Sequence, residues 1–415
     1  MTTAFVRRQM TQGDLDLFVA AHQRYVEGRA GGRRLSLKFL DLSGLDLSGR
    51  NLDDADFSGS SLENASLQGA SLERALLFGA DLRGANLTGA RLVRADLRGA
   101  CLRGANLSQA DLTQADFREG VLAIPHPTKG LSAVKHETRR GDADGARFSG
   151  AVLDGSQFEG ASAHKADFTD CSMRGARLTG ANLKDADLSG ALLEGAQVAG
   201  ANLAGAQLVG AVLTDVAVET ARLDRTNLAG TLRNPNADAV SRAEKLYQMA
   251  LDANAWAESG GVLGEPAVFD NEDLRPLAGR LRGLRLPALS ARGACFQGLD
   301  LRDTGLQGAC LEGADLRGAD LRGADMRGAR LNDALMSKAD LRGAVLASLP
   351  LGGGRVAGVN LEGARLRYAR LEGADMSGAQ MAGADLTGAK LADAVITQAQ
   401  KDSARGGEPR TKQAA

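Results

Sequence analysis

Asp300, Asp320 and Asp340 recur at 20-residue intervals, and Arg302, Arg322 and Arg342 follow them by two residues each. Carboxylates and guanidiniums so spaced can neutralise one another, present a striped charged surface, or do acid–base work where a cleft shifts their pKa values. Other reactive side chains are sparse. Cys101, Cys171, Cys295 and Cys310 form no CxxC pair and lie away from the four histidines, so they read as reduced thiols and not as a metal or redox site. No nucleophile is matched with a base, and no HExxH, P-loop or dinucleotide fingerprint is present. Gly352, Gly353 and Gly354 lack a strand–helix context and read as turn residues. The chain reads as non-enzymatic, with no catalytic residue, cofactor or metal ligand assigned.

What must position these charges is a five-residue word. Residues 313–329 read GADLRGADLRGADMRGA, and versions of this word recur through most of the chain. Five residues of helix advance about 500°, which smears every fifth Leu around the axis. In a strand an odd period sends successive Leu to opposite faces. Neither keeps the repeated Leu in one core, so the chain must turn a corner once per word with Leu inward each time. Glycine, two residues after most of these Leu, tolerates a corner's dihedrals. Composition agrees: 53 glycines, one Trp and 4 % aromatic residues suit a repetitive interior of Leu and Ala better than an ordinary core. A net charge of −1 gives no global field for nucleic acid, and no apolar run approaches the length of a membrane span. Nothing near Met1 resembles a signal peptide, and a cytoplasmic location is expected.

The word A(D/N)LxG, as in Ala80-Asp81-Leu82-Arg83-Gly84 or Ala181-Asn182-Leu183-Lys184-Asp185, resembles the pentapeptide-repeat family. The resemblance implies an all-β solenoid, a right-handed quadrilateral β-helix with four words per coil. The central Leu or Phe and the Ala two before it would point inward, so a larger residue at Ala85 would overpack the interior.

Central positions run from Leu37 to Leu122 (18 words), from Phe148 to Leu228 (17) and from Leu281 to Ile396 (24). Leu122 and Phe148 are 26 apart, so excising the 21 residues 123–143 restores the spacing of five and joins the first two runs into one solenoid. The inserted loop contains Pro125 and Pro127, which oppose a regular ladder, and carries Lys129, Lys135, Arg139 and Arg140 against two acids. Phe148, Phe158 and Phe168 gather where the second run begins and are expected to fill space there.

Residues 14–28 place Leu15, Phe18, Val19, His22, Tyr25 and Val26 on one helical face, a capping helix in a 1–30 segment, with His22 as a packed core histidine. Repeats then occupy 31–230. A helical cap-linker follows at 231–280, its face formed by Val240, Ala243, Leu246, Tyr247, Ala250 and Ala257. A second β-helix takes 281–398, and a disordered tail 399–415.

Function must lie on the outer surface. Candidate contacts are Leu76 and Phe78, which flank inward Leu77 and should point outward; the four loop cations; the aspartate and arginine ladders; Trp256; and Tyr368, which stands where Gly is usual. The expected role is a scaffold presenting a rigid surface to protein partners in a bacterial cytoplasm, as within a cell-envelope or secretion-associated assembly. No direct nucleic-acid contact or membrane insertion is expected. The resemblance implies an alternative, because some relatives mimic duplex DNA to bind topoisomerases such as gyrase. Mimicry needs an acidic rod. Residues 37–122 hold 9 Lys/Arg against 12 Asp/Glu, 143–228 hold 7 against 11, and 281–396 hold 15 against 13, so only the first two runs are mildly acidic.

Overall fold

Each of a word's five backbone N–H groups seeks an acceptor. In Ala85-Asn86-Leu87-Thr88-Gly89 each one finds it. The Ala85 N–H closes the corner onto the Leu82 carbonyl at 3.0 Å, and the Asn86 N–H donates back one coil to Ala65 at 2.9 Å. Leu87 and Gly89 donate forward one coil, to Asn106 at 2.7 Å and Ser108 at 2.9 Å. That leaves Thr88, whose N–H donates to the Asn86 side-chain Oδ1 at 3.1 Å. The Asp or Asn of the word is therefore the acceptor for the one amide that the coil ladder cannot serve.

Words with Ser in place of Asp or Asn solve the same problem differently. The N–H groups of Glu73, His164 and Arg174 donate to Asp53, Asp144 and Asp154, each 20 residues earlier. Ser71, Ser162 and Ser172 donate to the same three carboxylates at 2.6 Å.

In this computed structural model residues 7–126 and 130–406 are described. The chain divides into two compact units, Met1–Asn234 and Pro235–Ala415. In both, single residues of successive words pair in parallel with a residue 20 positions later, as Asp81 with Cys101 and Asp300 with Asp320. Central and Ala side chains fill the interior; Ala85, Leu87, Ala324 and Met326 are fully buried.

The first unit opens with β1 (Arg8–Gln9) and α1 (Gln12–Val26). Strand β1 pairs in parallel with β2 (Leu40–Asp41). Thr11 caps α1, accepting the Asp14 N–H. Leu15 and Val19 join the solenoid core with Leu35 and Leu37. His22 is buried as expected, but Phe18, Tyr25 and Val26 are exposed, which corrects their assignment to the inner face.

The 21-residue insertion holds as arithmetic: Cys101 pairs with Asp142 and Asp116 with Gln157, each 41 apart. Its form and boundaries differ from expectation. It is an antiparallel hairpin, β3 (Gly120–His126) and β4 (Gly130–Arg139), in which Pro125 sits opposite Val134. Proline fits because a two-stranded ribbon leaves alternate amides without ladder bonds. Leu122 belongs to β3 and packs outside the core against Gly79, while Ala143 takes the next inward station after Phe117. Ala143 and Ala163 are small centres on neighbouring coils. Phe117 and Phe158 stack at 4.1 Å, and Phe148 and Phe168 at 4.8 Å. The two stacks meet edge-on at 6.2–6.4 Å, filling the interior the two alanines leave.

In the second unit α2 (Ala237–Glu258) buries Ala239, Leu246, Ala250 and Ala253, while Val240 is exposed. The linker expectation to residue 280 is corrected, because Phe269, Leu274 and Leu277 are already inward core residues. A 3-10 turn at Arg275–Leu277 accompanies a spacing of 22 from Val268 to Ser290, which hid this coil from a five-residue count. The 24-word run is also interrupted. Arg330 pairs with Asn360, 30 apart, because β5 (Leu349–Gly352) and β6 (Arg355–Ala357) leave as a second hairpin. Leu351 and Val356, counted as inward centres, are 51 % and 66 % exposed. The tail is ordered through its first residues: α3 (Gln398–Ser403) has a Thr397/Gln400 capping box, and Gln400 Nε2 donates to the Met376 and Ala379 carbonyls.

Two deletions separate the observed register from the expected one. Removing 119–139 keeps Ala143 beside the phenylalanine stacks and should leave a cooperative monomer with nearly unchanged Tm. Removing 123–143 puts Leu122 at that station and should overpack it by about 1–3 kcal/mol. Calorimetry that ranks the two deletions the other way would contradict the assignment of Ala143.

Candidate functional site

Because the corner residue of each word has positive φ, it sits close above the corner of the next coil. At Gly84 (φ 65°) a Cβ would stand 2.3 Å from the Asn64 Oδ1. A corner side chain can lean over a glycine one coil on, and Tyr368 is such a case, whereas Asp54, Arg74, Arg94 and Gln114 stack side chain on side chain at one corner. Its ring covers Gly388, with Lys338 Nζ 5.2 Å and Arg367 Cζ 6.0 Å from the ring centroid. Tyr368 is half-buried within its own coil stack.

The same geometry makes seats for the hairpins. A Cβ on Gly79 would meet Leu122 of β3 at 2.9 Å, and one on Gly99 would meet Arg139 of β4 at 3.1 Å. Gly120 lies under the Phe78 ring, where a Cβ would be 2.6 Å from ring carbon. Arg139 Nη1 donates to the Gly79 carbonyl at 3.4 Å, and Arg98 covers the ring at 5.3 Å. Leu76 and Phe78 are half-buried and lie outside the core, and Phe78 contacts the chain's own hairpin. Gly308 and Gly328 stand likewise against Leu349, with Ala357 also close to Gly328.

Beside the first hairpin's foot is an open cleft lined by Cys101, Arg103, Glu137, Arg139, Arg140 and Asp142 among others. Arg103 Nε pairs with Asp142 at 2.5 Å, and Arg139 Nε with Glu137 at 3.0 Å. Burial pushes the Cys101 thiol up, holding it protonated. The structure brings Arg139 and Arg140 together here, with Lys135 exposed on β4; Lys129 lies outside the described residues. Arg103 and Asp142 were missed by sequence reasoning, although 39 apart is the 18-residue offset of a cross-coil pair plus the 21-residue insertion. Trp256 is half-buried near the end of α2, and is not brought near the other candidates of the second unit by any contact described.

The Asp and Arg ladders form as spaced. Arg302 Nε and Nη2 donate to Asp300 at 2.8 and 2.6 Å, and Arg322 and Arg342 grip Asp320 and Asp340 alike. Crosswise, Arg302 reaches Asp320 at 3.5 Å and Arg322 reaches Asp340 at 3.8 Å. The Arg302 side chain holds the Asp300 carboxyl well below its ordinary range, at about 2, against a smaller opposing effect of burial. Cys295, half-buried between words, has its thiol pushed up to about 11 by desolvation. Among the described residues no group of three or more His, Cys, Asp or Glu is placed to hold a metal ion, and no helix is long and apolar enough to cross a membrane.

Stacked four-sided coils with glycine corners and a filled Leu/Phe interior define a solenoid built from five-residue words. The chain belongs to the pentapeptide-repeat family. The family model, described as pentapeptide repeats, matches in eight copies within residues 41–79, 75–114, 144–180, 181–216, 290–323, 309–347 and 357–397. Members of this family fold as right-handed quadrilateral β-helices and are generally non-enzymatic. A comparison with curated proteins finds no match. Among solved structures the chain is similar to full-length QnrB1, a plasmid-mediated fluoroquinolone resistance protein, at 21 % identity and TM-score 0.22, covering 51 % of this chain and 99 % of that one. It is similar to HetL from the cyanobacterium Nostoc sp. Strain PCC 7120, involved in heterocyst differentiation regulation, at 20 % identity and TM-score 0.11, covering 93 % and 94 %. Rfr23 from the cyanobacterium Cyanothece 51142 is 26 % identical, with TM-score 0.14, covering 35 % and 88 %.

A carboxylate whose folded pKa is depressed stabilises the protein above its ordinary pKa and loses that contribution as pH falls through the folded value. Arg302→Gln should therefore raise the Asp300 pKa from about 2 toward its ordinary value. It should also lower Tm at neutral pH and become indistinguishable from wild type in Tm near pH 2. Carboxyl NMR titration checks the first outcome and calorimetry the second; an unmoved Asp300 would contradict the ladder.

Proposed function

We propose that the protein is a non-enzymatic interaction scaffold that presents a rigid β-helical surface and its two hairpins to protein partners in a bacterial cytoplasm. Helices α1 and α2 act as caps over the first coils of their units, and the repeats of each unit form one β-helical domain. The aspartate and arginine ladders, Lys135, Arg139, Arg140, Trp256 and Tyr368 are the proposed contact residues. Leu76 is a further proposed contact, and Phe78 contributes indirectly, as part of the seat of the first hairpin.

The observation that carries this reading is that hairpin. A coil that satisfies its own amides interrupts its ladder for 21 residues, resumes in register, and holds the excursion on Phe78, Gly79 and Gly99. A packed interior offers a substrate no entry, whereas a loop held by a rigid frame is a common place for recognition.

A second reading, a DNA mimic that binds a topoisomerase, is favoured by the excess of acids in residues 37–122 and 143–228. Against it, Asp81, Asp96 and Asp116 are each paired with the Arg two residues on, at 2.7–2.8 Å. Pull-downs with full-length protein and the 119–139 deletion, with gyrase supercoiling assayed in parallel, test both readings. The scaffold reading predicts a defined partner that the deletion loses, with supercoiling unaffected. A partner retained equally by the deletion overturns the hairpin's role, and inhibition of supercoiling selects the mimic.

A further inference from the structure

The first coil of a solenoid has no coil before it, so its outward-facing amides need substitutes. The N-terminal segment supplies them one at a time. The Met10 N–H donates to the Asp41 carbonyl at 2.9 Å. The Gln12 side-chain amide accepts the Asp46 N–H at 2.9 Å and donates to the Asp46 carbonyl at 3.0 Å, standing in for a strand. The third substitute is ionisable. Leu35, whose counterparts in later words close a corner turn, donates its N–H to His22 Nδ1 at 3.1 Å.

His22 is fully buried on α1 and can accept that bond only as neutral imidazole. Protonation puts a proton on Nδ1 facing the Leu35 N–H, so donor meets donor and a charge is left in the interior. The surroundings do little to compensate. On α1 itself, Tyr25 stacks on the ring at 5.8 Å. From the chain entering the first coil, Arg34 repels the imidazolium. From the coil, Asp53 and Asp54 attract it, and the Asp53 backbone favours it. Both carboxylates are already engaged, however: Asp53 accepts from Ser71 and the Glu73 N–H, and Asp54 is gripped by Arg74 at 2.9 Å through both oxygens. Burial is the largest influence, and it lowers the His22 pKa.

We propose that α1 is a pH-operated cap: when His22 takes up a proton, α1 leaves the first coil, and the uncovered edge pairs with the same edge of a second copy of this chain. The occupant follows from the edge itself. Leu35 and Asp46, which α1 holds through His22 and Gln12, regain backbone groups to pair with, and unpaired parallel-ladder edges associate readily with their like. A self-complementary contact of this kind closes at a dimer. The direction of the pH effect is set by the lowered pKa. Below the ordinary imidazole value of about 6.5 the unfolded or undocked state binds more protons than the docked one, so docking weakens as pH falls.

The inference rests on the capping role of α1 proposed above, and the test separates the two. Light scattering after size exclusion, and hydrogen exchange over residues 12–26 corrected for intrinsic rate, are measured on the full chain at about pH 7.5 and about pH 5.5. Wild type should pass from monomer to dimer, with protection of α1 falling about tenfold. His22→Asn, whose side-chain oxygen can take the Nδ1 position, should stay monomeric with α1 equally protected at both values. Association driven by passage through the isoelectric point, near pH 6.5, would affect wild type and His22→Asn alike, and that result overturns the proposal. So does a wild type that remains monomeric with α1 protection unchanged. Leu15→Asp, which removes a buried apolar contact of α1, should dimerise already at pH 7.5. If it stays monomeric, the capping role itself fails; if it dimerises while acidified wild type does not, the cap stands and the histidine switch falls.

Discussion

One backbone amide per word has no partner in the coil ladder, and the structure depends on how that amide is satisfied. Four of the five N–H groups bond to the corner turn or to adjacent coils. The fifth, after the inward Leu, is served in many words by the Asp or Asn before that Leu, as Asn86 serves Thr88, while words such as Ala75-Leu76-Leu77-Phe78 carry no such side chain. Where Asp or Asn stands before the inward Leu it serves this amide, so in those words the polar side chain belongs to the backbone's hydrogen bonding and is not a surface decoration. The same carboxylates are then available to arginines two residues on and one coil back. The charged ladders are thus a by-product of backbone accounting.

The register that follows is rigid along the coil but tolerant at corners. A 20-residue step aligns Leu on Leu, and any segment that leaves and returns in phase disturbs nothing inside. Both hairpins do this, one after Phe117 and one after Leu346, and each folds back on glycines of the two preceding coils. Glycine pairs one coil apart make a shallow seat because no Cβ rises from the surface there. In the first unit Phe78 adds an apolar wall to that seat, which explains an aromatic residue at a position otherwise polar.

Much of this was legible in the sequence. The period of five forced corners, the 26-residue gap between Leu122 and Phe148 revealed the size of the insertion, and the 20-residue recurrence of Asp300 and Arg302 placed their ladders. The errors have physical causes. Leu122 and Ala143 satisfy the same spacing, and only packing against four phenylalanine rings decides for the smaller one. Leu351 and Val356 keep the five-residue beat while lying in a hairpin, because a beat records spacing and not burial. Phe269 and Leu274 were missed because the 3-10 turn at Arg275–Leu277 lengthens their coil to 22. Phe78 was noticed as an anomaly, but the contact that explains it lies 42 residues further on, in Gly120. The Ser71–Asp53 and Ser162–Asp144 exchanges were hidden by an 18-residue separation that no local motif shows.

The central claim is that a coil of 20 residues, laddered to the coils on either side, is the repeating unit of stability. Excising residues 181–200 removes one such coil and leaves Leu178 and Leu203 five apart. Excising 183–200 removes two residues fewer and breaks the phase of all later words. Thermal unfolding followed by circular dichroism compares them directly. The account predicts that the 20-residue deletion unfolds cooperatively within a few degrees of wild type, while the 18-residue deletion loses cooperativity or falls far below it. Equal unfolding of the two deletions would contradict it.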